Sequence, residues 1–141
     1  MRLRLRIAII VALFLLNAQA VLPAANQPNS AEKIPTQMEM NTEAEDSFHQ
    51  ADTDLNEAYK ELMAAIEKCE EDSGPWKEKL RTAQRDWVKF RDSECEYESV
   101  DIEGGQAWSM EYNGCRSSLT QERTKNLRDK LEHFKELHSC H

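Results

Sequence analysis

Cysteine and histidine carry the most reactive chemistry available to this chain, and their spacing narrows it. Cys69, Cys95, Cys115 and Cys140 are the four cysteines among 141 residues. Four cysteines can pair as two disulfides in three ways. The ending His138-Ser139-Cys140-His141 raises a second chemistry, a zinc site with Cys69 as a further ligand. That spacing matches no standard zinc finger, and ligating thiolates must stay reduced, so disulfides are the better reading for an exported chain. Carboxylates are plentiful, but no nucleophile motif or phosphate-cradling loop accompanies them. The chain therefore reads as a non-enzyme, with no metal and no cofactor.

Two further groups invite a functional reading. Gln84 and Arg91 lie seven apart, near one face of a helix and beside Trp87, and Arg123 follows later. They read as a hydrogen-bonded network between helices, with Arg91 or Arg123 paired to a carboxylate such as Glu94 or Glu122. The sharper binding candidate is the stretch 100–106, where Asp101 and Glu103 stand beside Gly104 and Gly105. Tyr97, Trp108 and Tyr112 lie near it as aromatic anchors for a partner. A staple between Cys95 and Cys115 would hold this loop and lower the ordering cost of association. The competing reading has Trp108 and Tyr112 packing on the disulfide while the glycines only turn the chain.

Positioning these residues falls to three helices. Residues 1–20 hold Arg2, Arg4 and Arg6, an apolar run from Ile7 to Leu16, and an Ala18-Gln19-Ala20 ending. That is a signal peptide, and its apolar run is half the length that spans a membrane. Residues 21–41, with Pro23, Pro28 and Pro35, form an expected flexible linker. The domain, 42–141, opens on a capping-box pattern at Thr42-Glu43-Ala44-Glu45. Phe48, Ala51, Leu55, Tyr59, Leu62, Ile66 and Cys69 then recur on one helical face. Ser73-Gly74-Pro75 ends that helix. A second runs from Pro75 to about Ser99 with a buried stripe of Trp76, Leu80, Ala83, Trp87 and Phe90, continuing by way of Arg91 or Glu94 to Cys95. A third starts near Ala107 and carries Trp108, Tyr112, Cys115, Leu119, Leu127, Leu131, Phe134 and Leu137, with a kink expected near Asn113-Gly114.

Short connections make this an all-α, up-down-up three-helix bundle. In that topology only Cys69–Cys140 and Cys95–Cys115 bring partners to common ends, so two disulfides staple the two poles. In the chain-entropy description each adds roughly 3 to 4.5 kcal/mol.

The full chain has 18 Lys+Arg against 26 Asp+Glu, and the leader carries three of the cations and no acid, leaving 15 against 26 and a mature charge of −11. Nucleic acid is excluded as a partner by such a surface, whereas a basic protein would be steered toward it.

Leu55-Asn56-x-x-Tyr59-x-x-Leu62, the run Leu80-x-x-Ala83-Gln84-Arg85-x-Trp87-x-x-Phe90-Arg91-Asp92-x-x-Cys95, Gly104-Gly105, Tyr112-x-x-Cys115 and Leu119-Thr120-x-x-Arg123 together resemble the LprI-type lysozyme inhibitor family. These are small exported bacterial domains, and the similarity covers roughly residues 36 to 128. The resemblance implies a periplasmic or secreted protein that inhibits lysozyme by non-covalent binding. The runner-up is an envelope interaction or stress-associated module without that activity. Family members often carry cysteines just before and within the first helix; the stretch 36–46 here has none, so Cys69 and Cys140 imply a different second staple. Thiol titration of the native protein should count no reactive thiol; any positive count would reopen the zinc reading.

Overall fold

Thr36 starts the first helix. Its backbone N donates to Glu39 Oε2 at 2.8 Å and its hydroxyl accepts from the Glu39 backbone N at 3.3 Å, the reciprocal pair of a capping box. The helix it opens, α1, spans Gln37–Cys69. The expected start at Thr42 is therefore corrected. Two sequences six residues apart fit the same motif, and the upstream one forms the cap, while the Thr42 hydroxyl donates to the Met38 carbonyl one turn back inside the helix. The computed structural model describes residues 33–69 and 73–138. The expected signal peptide, most of the expected linker, and Cys140 and His141 lie outside them.

α2 spans Gly74–Glu98, with Pro75 in its first turn where a missing N–H costs nothing. A 3₁₀ turn at Val100–Ile102 follows, and α3 spans Trp108–Leu137. Paired contacts fix the directions. Asn41 on α1 meets Gln106 just ahead of α3, and Ser47 meets Ser117, so α1 and α3 run parallel. Asp52 meets Arg91 and Glu67 meets Lys77, so α2 runs against α1. The described residues are thus an up-down-up arrangement of three helices.

The helices do not share the core equally. Leu55, Ala58, Leu62 and Ile66 of α1 pack on Leu127, Leu131 and Phe134 of α3, and all seven are buried. Each large side chain of this set contributes about 1.5–3 kcal/mol on burial. From α2 the half-buried Leu80 and Trp87 pack on that cluster, and the Trp76 ring meets Phe134 edge-on at 5.8 Å. The expected α2 stripe is corrected here: Trp76, Ala83 and Phe90 are exposed. The expected continuation to Cys95 by way of Arg91 is found, and these two are the fully buried α2 positions. No irregular turn interrupts α3 at Asn113-Gly114, where the helix is continuous. Asn113 is buried and bonded to Ser109 and Arg116 at 3.3 Å each, which holds the backbone that glycine would loosen.

One disulfide is found with both partners among the described residues, Cys95–Cys115, with Cα atoms 5.6 Å apart and a sequence separation of 20. A loop of that length gives about 3 kcal/mol in the chain-entropy description. Cys69 is disulfide-bonded too, and its expected partner Cys140 lies outside the described residues.

Gly114 offers a direct check on the continuous α3. It sits in the helix interior, and a Cβ built on it meets nothing within 4 Å. Replacing Gly114 with Ala should raise stability by about 0.5–1 kcal/mol, since only backbone freedom is lost. A lower thermal midpoint for this variant would show that the backbone bends there.

Candidate functional site: the acidic pole

The loop between α2 and α3 is built from short backbone bonds. Ser99 ends α2 with its N and its hydroxyl both donating to the Cys95 carbonyl, at 3.1 and 2.8 Å. Ile102 N then reaches Ser99 O, Glu103 N reaches Val100 O, and Gly105 N reaches Ile102 O at 2.9 Å. Gly104 has φ +74°, in the left-handed region that side chains with a Cβ resist. A Cβ on Gly105 would lie 2.9 Å from the Ile102 carbonyl oxygen, which is backbone and cannot turn away. Both glycines are required by the turn. Asp101, Glu103, Gly104 and Gly105 are all exposed, and Trp108 is half-buried, stacked on Tyr112 at 4.9 Å and 9°. Val100 and Ile102 add exposed apolar surface beside the two carboxylates.

The loop is tied at both sides. Cys95–Cys115 fastens the helices that flank it. From the opposite side, the Asn41 amide donates to the Gln106 carbonyl at 2.9 Å, and Gln37 holds Asn41 in turn, also at 2.9 Å. Asn41 and Gln37 were missed by sequence reasoning, which placed them in a linker. The signal was present in Thr36-x-x-Glu39, whose cap extends α1 far enough to reach the loop.

Beneath the loop lies a polar core. Arg91 is 4% exposed and contacts all three helices. Its Nη1 donates to Asp52 Oδ1 of α1 at 3.2 Å and to Thr120 Oγ1 of α3 at 3.3 Å, and its Nε donates to Asp92 Oδ1 at 2.8 Å. The guanidinium also lies 5.1 Å from the Phe48 ring centroid and 5.4 Å from that of Trp87. Arg116 covers the Phe48 ring at 3.7 Å, and its Nε lies 3.5 Å from Asp92 Oδ1 without hydrogen-bond geometry. Two cations and two carboxylates thus balance. The expected partner Glu94 is corrected to Asp52 and Asp92: a helix places Asp92 beside the Arg91 stem, and the buried head then reaches across to α1. Arg123 likewise does not pair with Glu122. Its Nε donates to Gln84 Oε1 at 3.1 Å and its Nη1 to Asn126 at 3.4 Å, and burial pulls its pKa below the ordinary arginine value. Gln84 and Arg123 form one link between α2 and α3, and Arg91 forms another.

What this pole offers chemically is surface: exposed carboxylates, aliphatic and aromatic faces, and a loop with little freedom. Among the described residues no group of three or more His, Cys, Asp or Glu is placed to hold a metal ion. A small helical domain with a covalent brace beside an exposed acidic loop has the build of a binding protein. Comparison with known families agrees in kind: residues 28–127 match the family described as lysozyme inhibitor LprI. The chain belongs to that family. It is also 32% identical over 116 residues to an uncharacterised protein of Rhizobium meliloti (strain 1021), an overlap covering 77% of this chain and 84% of the relative. No solved structure matches. Among the described residues no helix is long and apolar enough to cross a membrane.

The polar core yields a graded stability expectation. Arg91→Ala removes a buried charge from two carboxylates and should cost about 3 kcal/mol in urea unfolding. Arg123→Ala, less buried and bonded to neutral amides, should cost about 1 kcal/mol. Equal losses would contradict the separate roles of the two arginines.

Proposed function

We propose that this protein is exported and inhibits lysozyme by presenting the acidic loop to the enzyme's basic substrate cleft. Membership in the lysozyme inhibitor family supports the target class. The observation that carries the mode of binding is the loop itself, where Asp101 and Glu103 are exposed on a backbone held by two required glycines. Preformed loops lose little conformational freedom on association. Val100 and Ile102 lie in the same turn as the carboxylates and supply apolar contact. Trp108 stacks on Tyr112 behind the loop and supports it. Inhibition then proceeds by occlusion: no bond forms or breaks, and the long-range charge of the chain steers the encounter.

The sequence supports export through the leader at 1–20, and a second staple, Cys69–Cys140, fits the disulfide-bonded state of Cys69. Such a pair would clamp the pole opposite the loop.

Turnover of bacterial cell wall by chicken-type lysozyme, measured with the purified protein across a salt series, tests both levels of the proposal. Inhibition should weaken as salt rises. Charge reversal by Asp101→Lys with Glu103→Lys should raise the inhibition constant by at least about tenfold. Unchanged inhibition by the double variant would remove the loop as the contact. No inhibition by the wild-type protein at micromolar concentration would remove lysozyme as the target.

A further inference from the structure

α2 carries more apolar surface than the bundle uses. Its residues Trp76, Leu80, Ala83, Trp87, Phe90 and Tyr97 follow alternating steps of four and three, with Glu94 in the one remaining place. That is the spacing of a helix-pairing seam. Leu80 and Trp87 form the edge that packs on the core. The other edge, at steps of seven, is Trp76, Ala83, Phe90 and Tyr97. Trp76 is 50% exposed, with its ring edge-on to Phe134 and His138, while Phe90 is 51% and Tyr97 75% exposed, and Ala83 is exposed with them. At 1.5 Å per residue this strip is about 32 Å long. A lone exposed aromatic needs no explanation, but three in line along one helix mark a contact surface.

The order of side chains along the strip identifies its occupant. Laid against itself in reverse, the strip sets each Phe90 over the small Ala83 of the other copy, and each Trp76 over Tyr97. Laid in the same direction, Phe90 meets Phe90 while Ala83 faces Ala83 across a gap. Charge makes the same choice. Residues 74–86 hold four cations against two acids, whereas residues 87–98 hold two cations against four acids. Reversal brings unlike ends together, and like-direction pairing stacks like on like.

We propose that the protein forms a two-fold symmetric homodimer in which the exposed strips of two α2 helices pack antiparallel. The contact is self-complementary, as a two-fold interface must be. Asp101 and Glu103 lie past the end of the strip, in the turn that follows α2. The dimer therefore carries its two acidic loops at opposite ends, and the assembly stands or falls separately from lysozyme binding.

Sedimentation equilibrium of the full chain, expressed with its own leader and purified from the exported fraction, tests this across micromolar to millimolar concentrations. The wild-type protein should pass from monomer to dimer within that range. Phe90→Glu should weaken self-association at least on the order of tenfold, with helical circular dichroism and thermal midpoint kept, because Phe90 is outside the core. Ala83→Lys combined with Phe90→Glu in one chain should regain dimer relative to Phe90→Glu alone. In the reversed alignment the new lysine faces the new glutamate twice. A wild-type protein that stays monomeric, a Phe90→Glu variant that dimerises as well as wild type, or a double variant no better than the single one would overturn the proposal.

Discussion

The guanidinium of Arg91 is the point at which all three helices meet. It donates to Asp52 on α1, to Asp92 on its own helix and to Thr120 on α3, with the faces of Phe48 and Trp87 beside it. A planar cation with a fixed fork of donors suits such a junction, because it fixes angle as well as distance. An apolar side chain of similar bulk would fill the volume but would leave the rotation of α2 undetermined. That matters for α2 in particular, which buries so little apolar surface. Its attachment depends on a charge network, a Gln84–Arg123 bond and one disulfide.

The bundle is accordingly divided along its length. Toward one pole, α1 and α3 meet through Leu, Ile and Phe side chains and exclude water. Toward the other, the buried positions of α3 become Asn113, Ser117, Thr120 and Thr124, and the interior is held by hydrogen bonds. A polar interior contributes little net stability but discriminates sharply among arrangements, since an unpaired member is expensive. The disulfide lies at this polar pole, where the apolar packing is least. There its effect on the unfolded chain offsets what hydrophobic burial does not supply.

Much of this was legible in the residues. The face Phe48, Ala51, Leu55, Leu62 and Ile66 follows a strict helical period because α1 meets a partner along its whole length, and such a face is readable. The Cys95–Cys115 pairing followed from topology alone. The α2 stripe was equally periodic but misleading, because period reports that a face is apolar without naming what covers it. The polar network was harder to read. Asp92 stands next to Arg91 in sequence, but Asp52 is 39 residues away and carries no mark of its role. For the acidic loop, residue types identified the glycines and carboxylates. The contribution of Asn41 depended on where α1 begins, and two equivalent capping motifs six residues apart left that start ambiguous.

The Asn41–Gln106 bond ties the loop to the first turns of α1, a short distance after Pro35. Residues 33–36 therefore lie close in sequence to the strut that sets the loop's shape, and substitutions there reach the presented face through α1. The far end of α3 emerges at the opposite, apolar pole, so anchoring the molecule on a sensor near that end leaves the carboxylates facing solution.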